Sequence, residues 1–161
     1  MRRLTARGEM IAIAESCTAG LAADMLARFP GASKVLWGSF VTYTAEAKTR
    51  MLGVPKELID KHGAVSRPIA LAMAEGALER SGASWALSIT GLAGPDGEGA
   101  PVGTVWIGLA GPAGGRARVR PRSEAKCFHF NGSRNEVRAA AAAAALKEVL
   151  SRILTAEEIL V

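Results

Sequence analysis

The fold is decided by one stretch of sequence, Met10-Ile11-Ala12-Ile13-Ala14-Glu15-Ser16-Cys17-Thr18-Ala19-Gly20. The apolar run Met10–Ala14 is typical of a short strand, and small and polar residues follow it at once. Apolar residues then recur at helical spacing, at Leu21, Met25, Leu26 and Phe29, until Pro30-Gly31 ends the pattern. The stretch therefore predicts a strand, a sharp turn and a helix, the repeating unit of α/β proteins.

The rest of the chain continues this alternation and then changes to a hairpin. The predicted elements are a strand at Val35–Tyr43, a helix capped by Thr44 that ends near Leu52, a helix at Lys56–Lys61, a helix from the N-cap Ser66 to about Arg80, strands at Trp85–Ile89, Val102–Ala110 and Arg116–Phe130, and a last helix behind the capping box Ser133–Glu136. This order predicts an α/β protein, a three-layer α/β/α sandwich with a mixed, mostly parallel sheet and a C-terminal hairpin.

The composition is that of one globular domain. Of the 161 residues 49% are hydrophobic, which is enough to bury a core, so we expect a single domain over residues 1–161. No apolar stretch reaches about 18 residues, and Glu9 interrupts the short apolar run behind the basic N-terminus, so we expect neither a membrane span nor a signal peptide. Cys17 and Cys127 are far apart, which favours a reducing, cytoplasmic location.

The charge pattern favours a small anionic ligand over nucleic acid. The net charge is +5 and the isoelectric point is about 9.7, values compatible with nucleic-acid binding. The main cluster of positive residues, however, alternates along a predicted strand and is typical of a solvated face: Arg116, Arg118, Arg120 and Arg122. Aromatic residues make up 5% of the chain and are not interleaved with basic ones as in a base-stacking surface.

The first candidate site is the turn that contains Ser16 and Cys17. A nucleophile at a strand-to-helix turn is held rigidly, and the unpaired N–H groups at the helix start can stabilise a negatively charged carbonyl oxygen. Cys17 is also a candidate, because a thiol is the better nucleophile and the start of a helix lowers its pKa. The alternative is that Ser16 is only an N-cap and Cys17 a small apolar filler, which the spacing alone favours.

The second candidate is Tyr43-Thr44-Ala45-Glu46-Ala47-Lys48, at the next strand-to-helix junction. The carboxyl ends of neighbouring parallel strands share one edge of the sheet, so Lys48 is placed to face Ser16. A lysine acts as a general base only if burial or nearby positive charge lowers its pKa. The alternative, an exposed lysine paired with a carboxylate, is the commoner arrangement.

Two further segments fall at the same edge. Thr90 to Gly97 follows a buried strand, and its glycines let the backbone approach a ligand, although it has neither a dinucleotide nor a P-loop pattern. Arg134 begins the last helix, where free N–H groups and the helix dipole favour a phosphate. The alternatives are a flexible connection and a solvent-facing arginine. With two histidines and no ligand-like spacing of cysteines, no metal site is expected.

Together these segments resemble the CinA C-terminal domain family, whose stand-alone members are nicotinamide-nucleotide amidohydrolases. The matching text runs in register from about residue 10 to 154 and comprises Ala14-Glu15-Ser16-Cys17-Thr18 with Gly20, Phe40-Val41-Thr42-Tyr43, Glu46-Ala47-Lys48, Gly53-Val54, His62-Gly63-Ala64-Val65-Ser66, Gly91, Ala93-Gly94-Pro95-Asp96-Gly97 and Pro101-Val102-Gly103-Thr104-Val105. Two departures are Ala19, where the family usually has a second glycine, and Arg67, where an acidic residue is common. The segment from Gly111 to Lys126 is longer than usual.

The resemblance implies specific roles for residues at the candidate sites. It implies Ser16 as the nucleophile, Lys48 as the base and Tyr43 as a supporting hydrogen-bonding group. It also implies that Thr90, with its neighbour Gly91, and Arg134 contact the substrate. Many relatives carry an additional N-terminal domain that resembles molybdopterin-binding proteins, and we expect neither that domain nor its pyrophosphatase activity here.

The sequence thus leads to one preferred hypothesis and two others. The preferred hypothesis is cofactor-free hydrolysis of the carboxamide of nicotinamide mononucleotide through a serine acyl-enzyme, with the N–H groups near Cys17 and Thr18 binding the oxyanion. In it, the small-molecule nucleotide is the only partner required, and the alanine-rich last helix is compatible with a homodimer. A nucleotide-binding module without catalysis, in which Ser16 is only a cap, is the second hypothesis. Nucleic-acid binding is the third, and charge alone supports it.

Overall fold

A computed structural model describes residues 1–97, 99–112 and 122–158, with the side chains of 155–158 left out. Eleven helices and strands follow one another along the described chain: α1 (Arg2–Arg7), β1 (Ile11–Glu15), α2 (Leu21–Ala27), β2 (Leu36–Val41), α3 (Ala45–Leu52), α4 (Lys56–His62), α5 (Arg67–Ser81), β3 (Trp85–Gly91), β4 (Thr104–Gly111), β5 (Arg122–His129) and α6 (Arg134–Glu158). A 3₁₀ turn at Ala32–Lys34 precedes β2.

The five strands form one mixed sheet in the order β2-β1-β3-β4-β5. Strand β1 pairs in parallel with both β2 and β3, whereas β3, β4 and β5 are antiparallel neighbours. Glu15, the last residue of β1, lies opposite Val41 of β2 and Ile89 of β3. The residues that follow these three positions are therefore brought together at one edge of the sheet.

Helices cover both faces of the sheet, as the predicted sandwich requires. Ile13 and Leu87 on one face pack in a core cluster with residues of α2 and α6, and Ala14 on the other face packs in a cluster with residues of α3, α4 and α5. Both faces of β1 are buried, which explains its unbroken apolar sequence. Ala141 and Ala145 of α6 are fully buried against the sheet. Their small side chains let the helix approach the sheet closely.

Several boundaries differ from those predicted. The sequence pattern gave no helix at the N-terminus, but α1 is present, anchored by the buried Leu4 and ended by Gly8 at a positive φ of 64°. Thr90 and Gly91 belong to β3 rather than to a loop, because they pair with β4. Of the four alternating arginines, Arg122 begins β5, and the other three lie outside the described residues.

The predicted helix caps are confirmed in part. Thr44 accepts a hydrogen bond from the N–H of Ala47 at 3.1 Å. The carboxylate of Glu136 accepts from the N–H of Ser133 at 2.7 Å, as in a capping box. Ser66 precedes α5 but its hydroxyl does not cap the helix, since it donates to the carbonyl oxygen of Gly63 at 3.0 Å. In the described part of the chain, no helix has the length and apolar character needed to cross a bilayer.

Candidate active site

Ser16 occupies the first position beyond β1 and is fixed by the neighbouring strands. Its N–H donates to the carbonyl oxygen of Ile89 in β3 at 2.9 Å. On the other side, the N–H of Thr42 donates to the carbonyl oxygen of Glu15 at 2.8 Å. The Ser16 side chain is 8% exposed, so the sheet holds a nearly buried hydroxyl at the edge where the parallel strands end.

The start of α2 is capped by Glu15, and not by Ser16 as the alternative interpretation required. One carboxylate oxygen of the fully buried Glu15 accepts from the N–H groups of Gly20 and Ala22, at 2.9 and 3.1 Å. The other accepts from the N–H of Ala23 at 3.0 Å and from the Ser39 hydroxyl at 3.1 Å. A carboxylate at this position also interacts favourably with the positive end of the helix dipole. Glu15 therefore ties β1, β2 and α2 together directly beneath Ser16.

Two backbone donors in the turn have no acceptor in another described residue. The N–H of Ala19 donates to Ser16 at 3.1 Å and that of Leu21 to Thr18 at 3.2 Å, so Glu15 and the turn itself use the N–H groups that lead into the helix. Within the described residues, no acceptor from another residue meets the N–H of Cys17 or Thr18. The backbone N–H groups at the start of α2 are thus occupied, although the sequence analysis expected them to be unpaired. The N–H groups without an acceptor in another described residue are those of Cys17 and Thr18, one turn earlier.

The backbone conformation at position 19 is one that favours glycine. Ala19 has a positive φ of 50°, the left-handed region that L-residues other than glycine adopt at a cost of about 1 kcal/mol. The next residue, Gly20, has φ 95° and forms the N-cap of α2. The departure at Ala19 therefore retains the turn at a modest cost in stability.

Lys48 lies beside Ser16, as predicted from the topology. Its side chain is 1% exposed. Nζ is 2.9 Å from Ser16 Oγ and donates to the carbonyl oxygen of Thr42 at 2.9 Å. Helix α3, which carries Lys48, packs tightly on α5, since a Cβ at Gly76 would overlap the carbonyl oxygen of Leu52. The exposed, carboxylate-paired alternative for Lys48 is therefore wrong.

Burial sets the protonation state of Lys48. Desolvation, the larger effect, lowers its pKa from 10.5 to about 8, and the nearby Cys17 raises it slightly against that trend. Within the described residues no carboxylate forms an ion pair with Lys48. A sizeable fraction of the amine is consequently neutral at pH 7–8, in position to accept the proton of Ser16.

Cys17 has the opposite character. Its side chain is 6% exposed and packs in the core cluster beneath the turn. Burial, the dominant cause, raises the pKa of the thiol to about 11. The expectation that the helix start lowers this pKa is wrong, because desolvation of the thiolate outweighs the hydrogen bond from the backbone N–H of Cys17 and the positive charges of Lys48 and Arg138. The thiol stays protonated near neutral pH.

A cavity of about 340 Å³ opens above Ser16. It is lined by Ser16, Cys17, Tyr43, Lys48, Ala64, Val65, Thr90, Gly91, Leu92, Ala93, Gly94, Asp96 and Arg134. Every predicted site residue is in this lining except Thr18, which is fully buried, backbone included, beneath the turn. A larger apolar groove of about 620 Å³, lined by residues such as Leu4, Phe29 and Leu150, contains none of these site residues.

Thr90 and Gly91 form one wall of the cavity. The buried Thr90 hydroxyl donates to the carbonyl oxygen of Ala64 at 2.8 Å, which leaves its oxygen able to accept a hydrogen bond. Gly91 is required by the sheet, because a Cβ there would lie 2.7 Å from the carbonyl oxygen of Thr104 in β4. The neighbouring strand is thus one reason for glycine at position 91, and Gly91 also lines the cavity, where the predicted contact with a ligand would be made.

Tyr43 and Arg134 meet at the exposed mouth of the cavity. The guanidinium of Arg134 donates to the Tyr43 hydroxyl oxygen at 2.5 Å and to the carbonyl oxygen of Gly94. Arg134 thus connects the segment after β2 with the loop after β3. The Tyr43 hydroxyl is hydrogen-bonded to Arg134, and not to Ser16 or Lys48. The direct contact between Ser16 and Lys48 is therefore a shorter route for a proton than a path through Tyr43.

Comparison with known proteins shows the family of the chain. The sequence profile of the CinA C-terminal domain matches residues 1–153. The chain belongs to this family. A CinA-like protein of Anaeromyxobacter sp. (strain K) is 49% identical over 146 residues, which are 89% of this chain and 34% of that protein. One from Geobacter metallireducens is 43% identical over 150 residues, 92% of this chain and 34% of that protein. The chain thus spans about a third of the length of these relatives.

Solved structures show the same fold for CinA proteins. A CinA superfamily protein from Escherichia coli has 34% sequence identity and a TM-score of 0.85, with 92% of this chain and 83% of that chain covered. A competence/damage inducible protein from Agrobacterium tumefaciens has 39% identity and a TM-score of 0.81, with 93% and 91% covered. The α/β fold of this CinA domain is therefore that of its family.

The sequence reasoning did not assign a structural role at the site to two charged residues of the CinA domain, the buried Glu15 and the half-buried Arg138. Glu15 was part of the matching motif, and the structure shows that its carboxylate caps α2. Arg138 received no role, yet it donates to the carbonyl oxygens of Cys17 and Thr18. The signal for Arg138 was its position one helical turn after Arg134, on the same side of α6.

The replacement Glu15→Gln should lower the free energy of unfolding by about 2–4 kcal/mol, because an amide presents donors to backbone N–H groups that need an acceptor. Urea unfolding at pH 7 measures this. Asp24→Asn is the matched control, because Asp24 lies in α2, the helix that Glu15 caps, and forms an exposed ion pair with Arg28. Loss of this ion pair should change the free energy of unfolding by less than about 0.5 kcal/mol. A Glu15→Gln protein as stable as the control would show that the carboxylate is not required as a cap.

Proposed function

We propose that this CinA domain hydrolyses the carboxamide of nicotinamide mononucleotide to nicotinate mononucleotide and ammonia, through an acyl-enzyme on Ser16. The observation that carries the proposal is the buried Lys48 amine, 2.9 Å from Ser16 Oγ and with its pKa lowered to about 8. A lysine held without a carboxylate partner is costly for stability, and such arrangements are typical of catalytic sites.

The first half of the reaction uses the Lys48 lone pair. One N–H of the neutral amine donates to Thr42, which leaves the lone pair free to take the proton of the Ser16 hydroxyl. Ser16 Oγ then attacks the carboxamide carbon and forms a tetrahedral intermediate. The N–H of Cys17, a residue that lines the cavity, stabilises its oxyanion, and loss of such a donor typically costs about 3–4 kcal/mol.

The second half reverses the direction of proton transfer. Protonated Lys48 gives its proton to the leaving nitrogen, and ammonia departs as the C–N bond breaks, which leaves the nicotinoyl ester on Ser16. Neutral Lys48 next takes a proton from a water molecule, whose oxygen attacks this ester. Lys48 returns that proton to Ser16 Oγ as the acyl–oxygen bond breaks, and the product leaves as a carboxylate after losing its own proton to solvent. Such chemistry needs no cofactor, and among the described residues no group of three or more His, Cys, Asp and Glu side chains is placed to bind a metal.

The charged mouth of the cavity supports a nucleotide as substrate. The Arg134 guanidinium is exposed there at the start of α6, and arginine beside a helix N-terminus suits a phosphate. Glu136 already occupies the N–H of Ser133, so Arg134 would supply most of the attraction. The buried end of the cavity would then receive the planar pyridinium ring and its carboxamide.

Ammonia release tests the proposal directly. The purified protein, with nicotinamide mononucleotide and excess chelator, should release ammonia and nicotinate mononucleotide in equal amounts. Nicotinamide riboside, which lacks the phosphate, serves as the comparison and should react with a higher KM. Binding of the nucleotide without any ammonia release would contradict the proposal and support the non-catalytic binding module instead.

A further inference from the structure

Asp96 supplies the only carboxylate among the described residues that line the cavity above Ser16. The other charged side chains of this lining are Lys48 and Arg134. Asp96 is exposed, and in the described part of the chain no hydrogen bond or ion pair occupies its carboxylate. The proposed reaction gives this carboxylate no role, so both of its oxygens are available to a ligand.

The loop that carries Asp96 is held against the start of β4. On its N-terminal side, the N–H of Leu92 donates to the carbonyl oxygen of Thr104 at 2.9 Å. On the other side, the chain is tightly folded, because a Cβ at Gly97 would lie 2.6 Å from the carbonyl oxygen of Ala100. The backbone before and after Asp96 is therefore held by neighbouring parts of the chain.

Arg134 holds the same loop but does not pair with Asp96. Its guanidinium donates to the carbonyl oxygen of Gly94, two residues before Asp96, and to the Tyr43 hydroxyl oxygen. Among the ion pairs of the described residues, none joins Arg134 to Asp96. The mouth of the cavity thus presents one cation and one anion, each able to contact a different group of the same ligand.

A carboxylate at this place is unfavourable for phosphate binding alone. A phosphate bound at Arg134 is repelled by a second negative charge in the same mouth. Asp96 therefore lowers the affinity for an anionic ligand unless it contacts another part of that ligand. Carboxylates accept strong hydrogen bonds from hydroxyl groups, and an acidic residue binds ribose hydroxyl groups in many nucleotide sites.

The chemistry of the proposed substrate indicates which group Asp96 contacts. In nicotinamide mononucleotide, the ribose joins the pyridinium ring at C1′ to the phosphate at C5′. With the carboxamide at Ser16 and the phosphate at Arg134, the ribose lies in the part of the cavity between them, near the exposed mouth that Asp96 lines. The 2′- and 3′-hydroxyl groups are on the same face of the sugar, so one carboxylate can accept from both.

We infer that Asp96 binds the 2′- and 3′-hydroxyl groups of the ribose and thereby selects ribonucleotides over their deoxy counterparts. The inference rests on the proposed function, because the carboxamide and the phosphate define where the ribose lies. Such a contact is made equally before and during the reaction, so its loss affects KM rather than kcat.

Kinetics of Asp96→Asn test this role. The variant should raise the KM for nicotinamide mononucleotide about 10-fold and leave kcat within a factor of about two, because a charged acceptor of two hydrogen bonds is lost. Folding should be unaffected, since the carboxylate has no partner in the described chain. Asp60→Asn is the matched control, because Asp60 is exposed, lies outside the cavity lining and pairs with Lys56. Its kinetic constants should equal those of the wild type.

Binding of small phosphates separates contact with the sugar from a general effect of charge. Ribose 5-phosphate should bind the wild type several-fold more tightly than 2-deoxyribose 5-phosphate, and in Asp96→Asn this ratio should approach one. Inorganic phosphate should bind Asp96→Asn at least as tightly as the wild type, because a repelling charge is removed. Calorimetric titration measures all three probes. The two sugar phosphates contain no pyridinium ring, so a charge contact with that ring cannot produce this result.

The same titrations distinguish failure of this inference from failure of the proposed reaction. A wild type that releases no ammonia, but tells ribose 5-phosphate from its 2-deoxy form through Asp96, would show that the reaction is wrong and the sugar site correct. Ammonia release with equal KM in wild type and Asp96→Asn would support the reaction and overturn the inference. Absence of ribose 5-phosphate binding, or equal weakening of all three probes in Asp96→Asn, would overturn it too.

Discussion

Replacement of Ser16 by alanine should abolish ammonia release from nicotinamide mononucleotide, by roughly 10⁴-fold or more, because loss of a catalytic nucleophile removes the covalent route entirely. Ser16→Ala should still fold and bind the nucleotide, since its backbone N–H and not its hydroxyl joins the turn to Ile89. Steady-state ammonia assays give the activity, and calorimetric titration with the nucleotide gives the binding.

Cys17→Ser is the matched control for this experiment, since it changes the adjacent side chain in the same turn. With its pKa raised to about 11, the Cys17 thiol is protonated at the assay pH and is not the nucleophile. Cys17→Ser should therefore keep kcat within a few-fold of the wild type, although a hydroxyl in the core lowers stability by about 1–2 kcal/mol. An inactive Cys17→Ser beside an active Ser16→Ala would overturn the assignment.

The elements that the sequence predicted well are those whose signals are local. The apolar run before Glu15, the helical spacing after Gly20 and the capping pair Ser133 and Glu136 each report on a few consecutive residues. Because neighbouring parallel strands end at the same edge of a sheet, the end of β1 could be expected to lie beside the segment after β2 that carries Lys48. Topology, and not residue type, made that part of the site predictable.

Burial could not be predicted, and it determines the chemistry. Lys48 and Cys17 have opposite pKa shifts for the same reason, since desolvation disfavours the charged form of each. A sequence-based argument from the helix dipole gave the wrong direction for the thiol, because it could not include the core that packs around Cys17. The contacts of Arg138 with the turn join residues about 120 positions apart, a distance over which sequence spacing carries no information.

Glycine and alanine positions illustrate the same limit. Gly91 was interpreted as a residue that lets the backbone approach a ligand. The structure adds a second reason for glycine, the close contact with β4, which depends on the pairing of the two strands. Ala19 was recognised only as a departure from the family pattern, and its positive φ is a conformation that favours glycine. In both cases the residue type was informative, but the neighbour or conformation that explains it became visible only in the fold.

Lys48 should give the reaction a pH dependence in which kcat/KM rises with pH. Only the neutral amine can accept the Ser16 proton, and its pKa is lowered to about 8. Well below that value kcat/KM should increase about tenfold per pH unit, and it should become constant above it. Initial rates at low substrate concentration between pH 6 and pH 10 measure this profile. A flat profile across pH 8 would mean that Lys48 does not titrate as the base.

Two substitutions at Lys48 test the same assignment by turnover. Lys48→Arg keeps a positive charge that does not ionise in this range, so it should lower kcat by at least about 10³-fold. Lys48→Met should be equally inactive but should still bind the nucleotide, because Arg134 at the mouth of the cavity is unchanged. Turnover by Lys48→Arg at the wild-type rate would transfer the role of base to water or to a carboxylate such as Glu15.

Stability measurements on Lys48→Met show that lost activity is not lost folding. The pKa of Lys48 is about 8 in the folded protein and 10.5 in the unfolded chain. Protonation of the buried amine therefore lowers the free energy of unfolding of the wild type by about 3 kcal/mol. This loss is complete below pH 8 and disappears as the pH rises to about 10.5. Lys48→Met avoids this loss of stability but also lacks the hydrogen bond to Thr42. It should therefore be at least as stable as the wild type in urea unfolding at pH 7, and its advantage should shrink by pH 9.5. A Lys48→Met protein that is inactive, binds the nucleotide and is more stable at pH 7 would show that Lys48 serves catalysis and lowers stability. A marked loss of stability at pH 7 would show instead that the lysine is structural.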